Sequence, residues 1–175
     1  MKFRQAGTPD IRQMLMIIEK ARKSLKQSGV DQWQDGYPNR KDIEDDIAAH
    51  NAYVVTENDI VIGIVTVSLD GEDDYISIQG SWKSEQAYAV IHRMAVDDGH
   101  KGKGLSSEII KNIAELCMSK GVYSIRVDTH EQNVAMNTVL RKNGFEYCGI
   151  VQVDNSDRVA YEKLLPQLPK PSLTP

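Results

Sequence analysis

The sequence predicts an α/β protein in which strands and amphipathic helices are mixed through one domain. Three stretches carry that expectation. Val90–Val96 is an apolar, strand-like run that passes through the polar Asp97–His100 into the glycine-rich Lys101–Ser106. Apolar residues then recur at Leu105, Ile109, Ile113 and Leu116, the buried stripe of a helix. Further on, Val122–Thr129 alternates as a buried strand, and Ala52–Thr56 with Ile60–Val67 reads as a hairpin turned at Glu57-Asn58-Asp59. At 175 residues the chain is long enough for one sizeable core.

In order, residues 2–6 suit a short first strand. Thr8-Pro9-Asp10 has the form of a helix start, with Thr8 as cap and Pro9 at the first helical position. Ile11, Met14, Leu15, Ile18, Ala21 and Leu25 follow at helical spacing, and Gly29 ends the run. Residues 29–41 are a connector that carries Trp33 and Tyr37, either as lids on the core or as the lining of a substrate pocket. A short helix over 41–50 turns Ile43 and Ile47 inward. The acidic run Asp70–Asp74 reads as a solvated turn, and 75–89 has no clear pattern, with Trp82 placed in the core or at a cleft.

The helix after the glycine loop stops at Gly121, and a last helix opens at Gln132 or Asn133 and closes on Asn143-Gly144. Phe145–Val153 and Arg158–Lys163 form a closing hairpin across Asp154–Asp157. The domain is thus expected over residues 1–165. Residues 166–175 hold four of the six prolines and read as an extended tail.

Composition narrows the function. Apolar residues make up 41%, charged residues 26%, and the net charge is −4, which suits a soluble globular protein and lacks the basic footprint of a nucleic-acid binder. No run approaches membrane-spanning length and the first residues lack a targeting segment, so the cytoplasm is the simplest location. Cys117 and Cys148 belong to no metal-binding or redox spacing and are expected as small core residues, and no metal is expected.

The glycine loop is the chemical signal. Glycines at a helix N-terminus let a ligand approach unpaired backbone N–H groups, which attract anions, above all phosphates. Gly99 to Ser106 nearly fits a nucleotide-hydrolysing P-loop, but Leu105 stands where the lysine is required. A dinucleotide fingerprint fails as well, because no third glycine follows Gly102-Lys103-Gly104. What remains is a basic-x-x-Gly-x-small pattern directly after a strand.

Lys101-Gly102-Lys103-Gly104-Leu105-Ser106 resembles the pyrophosphate loop of the GNAT superfamily of acyl-CoA N-acyltransferases, with Lys101 and Ser106 as mild departures. Asn133-Val134-Ala135-Met136 through Lys142-Asn143-Gly144-Phe145 is similar to the family's later motif, and the two stand in the family's order. The resemblance spans residues 2–163 and makes a phosphate ligand other than acyl-CoA a poor fit. It implies a twisted, mostly antiparallel mixed sheet of about six or seven strands flanked by about four helices.

The resemblance also implies that acetyl-CoA is a co-substrate whose pantetheine enters between the strand before the loop and the strand after its helix. Met94, Ala95 and Val96 would offer backbone groups to it, residues 101–106 would hold the pyrophosphate, and Asn133 and Met136 would flank the pantetheine. Asn133 serves equally as a plain helix cap.

The implied reaction transfers an acetyl group to a primary amine of a small molecule or peptide, by direct attack in a ternary complex. The amine must first lose a proton, so a base is required. His92 is the candidate: histidine titrates near neutrality, and alternation sets it on the same side of its strand as Val96. Serotonin-type acetyltransferases of the superfamily carry a histidine at that offset. His130 is a second choice, and a core histidine is the structural alternative. Many family members place a proton-donating tyrosine where this chain has Leu140. Tyr147 and Tyr161 are possible substitutes, and a backbone N–H of the 92–96 strand is the simplest oxyanion donor. The alternative activity is a non-catalytic acyl-CoA sensor. The closing hairpin is compatible with a homodimer.

Overall fold

The computed structural model describes residues 1–167, so all but the first two residues of the expected tail lie outside the described residues. The chain forms β1 (Lys2–Gln5), α1 (Ile11–Gln27), α2 (Arg40–Ala48), β2 (Ala52–Glu57), β3 (Ile60–Ser68) and β4 (Gln79–Gly80). It continues with β5 (Ala89–Val96), α3 (Leu105–Ser119), β6 (Ser124–Thr129), α4 (Val134–Lys142), β7 (Glu146–Val153) and β8 (Ser156–Leu164). All eight strands join one sheet in the order β1-β2-β3-β5-β6-β8-β7-β4. The single parallel pair is β5 with β6; the others are antiparallel.

The expected architecture is met, with one strand more than expected. The addition is β4, two residues in the unpatterned stretch, paired with Gly149 and Ile150 of β7. Backbones there approach so closely that a Cβ on Gly80 would lie 2.1 Å from the Cys148 carbonyl oxygen. The α1 start also differs from expectation. A 3-10 turn over Thr8–Asp10 precedes the helix, and Gly7 stands at its cap. The Asp10 carboxylate closes the corner, accepting the Gly7 N–H at 2.8 Å and a two-pronged bond from Arg4 at 2.7 and 2.9 Å. The closing hairpin turns tightly on Asp154-Asn155 rather than across four residues, with both φ angles positive (50° and 57°).

The sheet is covered on both faces. Its first face packs α3 and α4, with Ile109, Ile113, Cys117 and Leu140 against Val67, Ile91 and Val127 in the largest core. Its second face packs α1 and α2 at one end, through Met14, Ile18 and Ile43 on Val54 and Ile64. At the other end of that face, Tyr75 and Trp82 lie over Val90, Val151 and Ala160, so Trp82 belongs to the core. Both cysteines are buried and unpaired. No helix among the described residues is long and apolar enough to cross a membrane.

The segment leading into β5 is anchored by a buried carboxylate. Glu162 is 1% exposed and accepts from Ser84 Oγ at 2.7 Å, Ser124 Oγ at 2.6 Å and the Lys83 N–H. Burial pushes its pKa up, but these bonds and Arg126 outweigh it and hold the carboxyl below its ordinary range. Arg126 lies between the Trp82 and Tyr88 rings, 4.2 and 3.8 Å from their centroids. Replacing Glu162 by alanine would leave three donors and a buried guanidinium without their partner. The variant is expected to lose about 3 kcal/mol of stability, measured by equilibrium urea unfolding.

Candidate active site

The site grows out of a parting of two strands. β5 and β6 pair at Ala89–Ile125 and Val90–Arg126, and no further pairing follows. The cause lies in β5, where one extra residue interrupts the ladder to β3: Thr66 faces His92, but Ile64 faces Ala95. Arg93 absorbs the bulge in the left-handed region at φ 51°, a costly conformation for a residue with a side chain.

Its side chain holds it there. Arg93 donates to both Asp46 oxygens at 2.8 Å, and Asp46 also accepts from Thr66 Oγ1 at 2.7 Å. Arg93 donates a further bond to the Tyr37 hydroxyl at 2.5 Å. The side chains of Arg93 and Asp46 are only 16% and 10% exposed. The acidic residues of α2 are therefore not all a solvated face. Glu44 and Asp45 pair with Arg40 and Lys41 at the surface, while Asp46 is spent on the bulge.

The bulge corrects the reading of His92. Alternation from Val96 fails across an extra residue, so the two point to opposite faces. Val96 pairs with Gly63, whose Cβ position looks onto Leu105 and Ile109 of α3. His92 pairs with Thr66, on the α1/α2 face. A cleft of about 870 Å³ occupies the gap and is lined from both faces. Met94, Ala95 and Val96 line it along β5, as do Lys101, Gly102 and Ser106 at the glycine loop.

The start of α3 differs from those of α2 and α4. Asn39 caps α2 and Asn133 caps α4 through their side chains, but Gly104 gives α3 no side-chain cap. The first-turn N–H groups of α3 thus lack such a partner. Gly102 and Gly104 sit at φ 72° and 84°, and an added Cβ on either meets nothing within 4 Å. Lys103, Gly104 and Leu105 do not line the cleft, and Leu105 is a core residue, 4% exposed.

On the opposite face, His92 Nε2 lies 3.2 Å from Glu72 Oε2. The hydrogen bond to His92 holds the Glu72 carboxyl below its ordinary range. Asp128 stands on the same face of β6 as Arg126, beside the gap, and accepts from the buried Tyr75 hydroxyl at 2.7 Å. Burial pushes Asp128 up, with the Tyr75 bond opposing it. Neither carboxylate belongs to a sequence motif. Glu72 sits in a run that reads as solvated, whereas Asp128 had a signal, a polar residue within an otherwise buried strand. His130 lines a separate cavity beside the β7–β8 hairpin.

The connector closes over the cleft. Arg22 of α1 ties it down, donating to the Trp33 carbonyl at 2.8 Å and the Pro38 carbonyl at 2.9 Å. Trp33 and Tyr37 both line the cleft, so they are more than a lid on the core. Burial pushes the Tyr37 hydroxyl up to about 12. Asn133 caps α4 by accepting the Met136 N–H at 3.1 Å, and its amide donates to Gln32 of the connector at 3.0 Å. Met136 lines the cleft beside it. Leu140 is fully buried among apolar side chains, and the Tyr161 hydroxyl is engaged by Asn137 at 2.7 Å. Tyr147 is 55% exposed and outside the cleft.

Residues 18–145 match the Acetyltransferase (GNAT) family model. The chain belongs to the GNAT acetyltransferase family. Solved GNAT structures agree. An acetyltransferase of the family from Streptococcus agalactiae superposes with a TM-score of 0.88 at 35% identity, covering 95% of this chain and 96% of the other. A Staphylococcus aureus structure follows at 0.73 and 26%, covering 95% and 100%. A GNAT acetyltransferase from Listeria monocytogenes, at 0.73 and 23% over 94% of each chain, shares the fold. No functionally curated protein matches.

In this GNAT domain the bulge and its counter-ion should behave as one unit. Asp46→Ala and Arg93→Ala each remove half of a mostly buried pair and are expected to cost about 3 kcal/mol. The double variant should cost less than the sum, with a coupling of about 2 kcal/mol in a urea-unfolding cycle. Additive losses would show that the bulge is held by other means.

Proposed function

We propose that this protein is an acetyl-CoA-dependent N-acetyltransferase that acts on a primary amine by direct attack in a ternary complex. The observation that carries the reading is the parted β5–β6 pair, which joins an uncapped, glycine-lined helix start on one face to a histidine–carboxylate pair on the other. A bulky anion suits the first end. Backbone N–H groups at residues 101–106 would bind the pyrophosphate, with Lys103 adding positive charge, while the Lys101 ammonium is paired with Asp98 at 2.6 Å. The strand edge at Met94–Val96, no longer paired to β6, would offer peptide groups to the pantetheine, with Asn133 and Met136 alongside.

On the other face, His92 is the proposed base. A carboxylate accepts, so Glu72 favours the tautomer in which Nε2 carries the proton and Nδ1 the lone pair. Glu72 also stabilises the imidazolium once the amine proton has moved to it. The amine nitrogen attacks the thioester carbon, the C–N bond forms, and the C–S bond breaks. A backbone N–H at the bulge supports the oxyanion. Leu140 supplies no acid, but an alkyl thiol with a pKa near 8.5 leaves readily as thiolate and can take its proton from water. The paired His92 and Glu72 favour turnover over the acyl-CoA sensor reading.

Two variants test the two ends. Gly104→Asp places a carboxylate in open space at a left-handed position that aspartate tolerates, so the fold should hold while acetyl-CoA binding by calorimetry weakens about tenfold or more. His92→Ala should retain binding and lower amine-dependent thiol release by about a hundredfold or more. Unchanged turnover in His92→Ala would remove it as the base.

A further inference from the structure

We infer that the acceptor is a linear aliphatic diamine or polyamine, carrying a second ammonium group beyond the amine that reacts. This rests on the proposed acetyl transfer and names its substrate class. Carboxylates converge on the His92 side of the cleft from separate elements: Glu72 and Asp74 from the turn before β4, Asp128 from β6 and Asp154 from the β7–β8 turn, while Asp31 and Asp35 of the connector also line the cleft. The cations there are already engaged. Arg93 is bound by Asp46, and Arg158 lies 4.0 Å from Asp128.

The carboxylates fall into two tiers. Glu72 and Asp128 are partly buried, beside His92, where the reacting amine arrives as its ammonium. Asp74 and Asp154 are exposed at the rim. Asp74 is pushed up, first by burial and then by Glu72, Asp154 and Asp128, which places these groups within mutual repulsion. A second ammonium at the rim relieves that repulsion, which a monoamine cannot reach.

An independent feature supports a polar ligand in the cleft. Thr129, only 1% exposed and on the opposite face of β6 from Asp128, lines the cleft where it passes between the strands, and its Oγ1 has no hydrogen-bond partner among the described residues. The closed connector, latched from Gln32 to Asn133, favours a slender chain over a folded protein. In the reaction one ammonium gives a proton to His92, the resulting amine forms the C–N bond as the C–S bond breaks, and the nitrogen's second proton passes to solvent, from which the departing CoA thiolate is protonated. The second ammonium stays charged throughout.

The test compares 1,4-diaminobutane with n-butylamine in acetyl-CoA thiol-release assays, alongside longer diamines and a lysine peptide. Calorimetry with the diamine alone provides a readout independent of acetyl transfer. The expected kcat/KM preference for the diamine over butylamine is roughly tenfold, from two rim ion pairs. It should shrink toward unity in the Asp74→Asn/Asp154→Asn double variant and at 0.5 M salt, as screening of exposed charges requires (about 4 Å Debye length). Equal use of butylamine, a stronger preference for the peptide, or a preference that survives the double variant overturns the inference while leaving acetyl transfer intact. Thiol release with no amine at all, despite diamine binding, overturns the transferase reading instead.

Discussion

The cleft depends on one residue too many in β5. A strand with an added residue must either slip its register or store the excess locally, and a slip would turn every following side chain to the wrong face. Here the excess is stored at Arg93, and pairing with β3 resumes on either side with the register shifted by one residue. Left-handed backbone at an arginine has no local justification, so the stabilisation comes from Asp46, 47 residues earlier in the chain. One interaction thereby links α2, the connector through Tyr37, and the strand that borders the gap. Because β6 keeps its pairing with β8, the excess parts β5 from β6 and leaves the rest of the sheet whole.

The parted strands also separate two kinds of chemistry that would otherwise compete. The proposed anion site, at the α3 start, lies beyond one face of the sheet. The proposed base His92, with the Glu72 and Asp128 carboxylates, lies on the other. Asp97 keeps the loop side in order: it accepts from Lys20 at 2.7 Å and from the Gly99 N–H at 3.1 Å. Its carboxyl is held below the ordinary range by the Lys20 bond, so it remains charged at neutral pH and fixes the turn ahead of the glycines. The sheet itself is then the partition between the ends of the cleft.

Most of the architecture was legible because its signals are local. The helical spacing from Leu105, the alternation of Val122–Thr129 and the two hairpins each follow from residues a few positions apart. Glycine positions in the loop were legible for the same reason, since only glycine occupies such angles freely. What escaped is set by distant partners. The bulge needs Asp46, the Glu72–His92 pair needs a turn to fold back across 20 residues, and β4 exists only because two glycines let it cross β7. The Thr8 cap is a gentler case: Thr8-Pro9 has a valid start pattern, but Arg4 drew the Asp10 carboxylate into closing the corner one residue earlier. Alternation placed His92 on the wrong face for a related reason, because the period holds only while the ladder does.

The turn at Asp154-Asn155 has a consequence for how such a site changes over time. Both residues lie in the left-handed region, and a two-residue hairpin turn of this kind accepts little besides Asn, Asp and Gly. Backbone geometry therefore limits position 154 to a short list, within which aspartate alone carries charge. Exchanging Asp for Asn there alters the electric field at the cleft mouth while leaving the turn, the register of β7 on β8 and the core beneath unchanged. On the proposed reading, acceptor preference would respond to this single conservative substitution, at a corner where the fold offers no resistance.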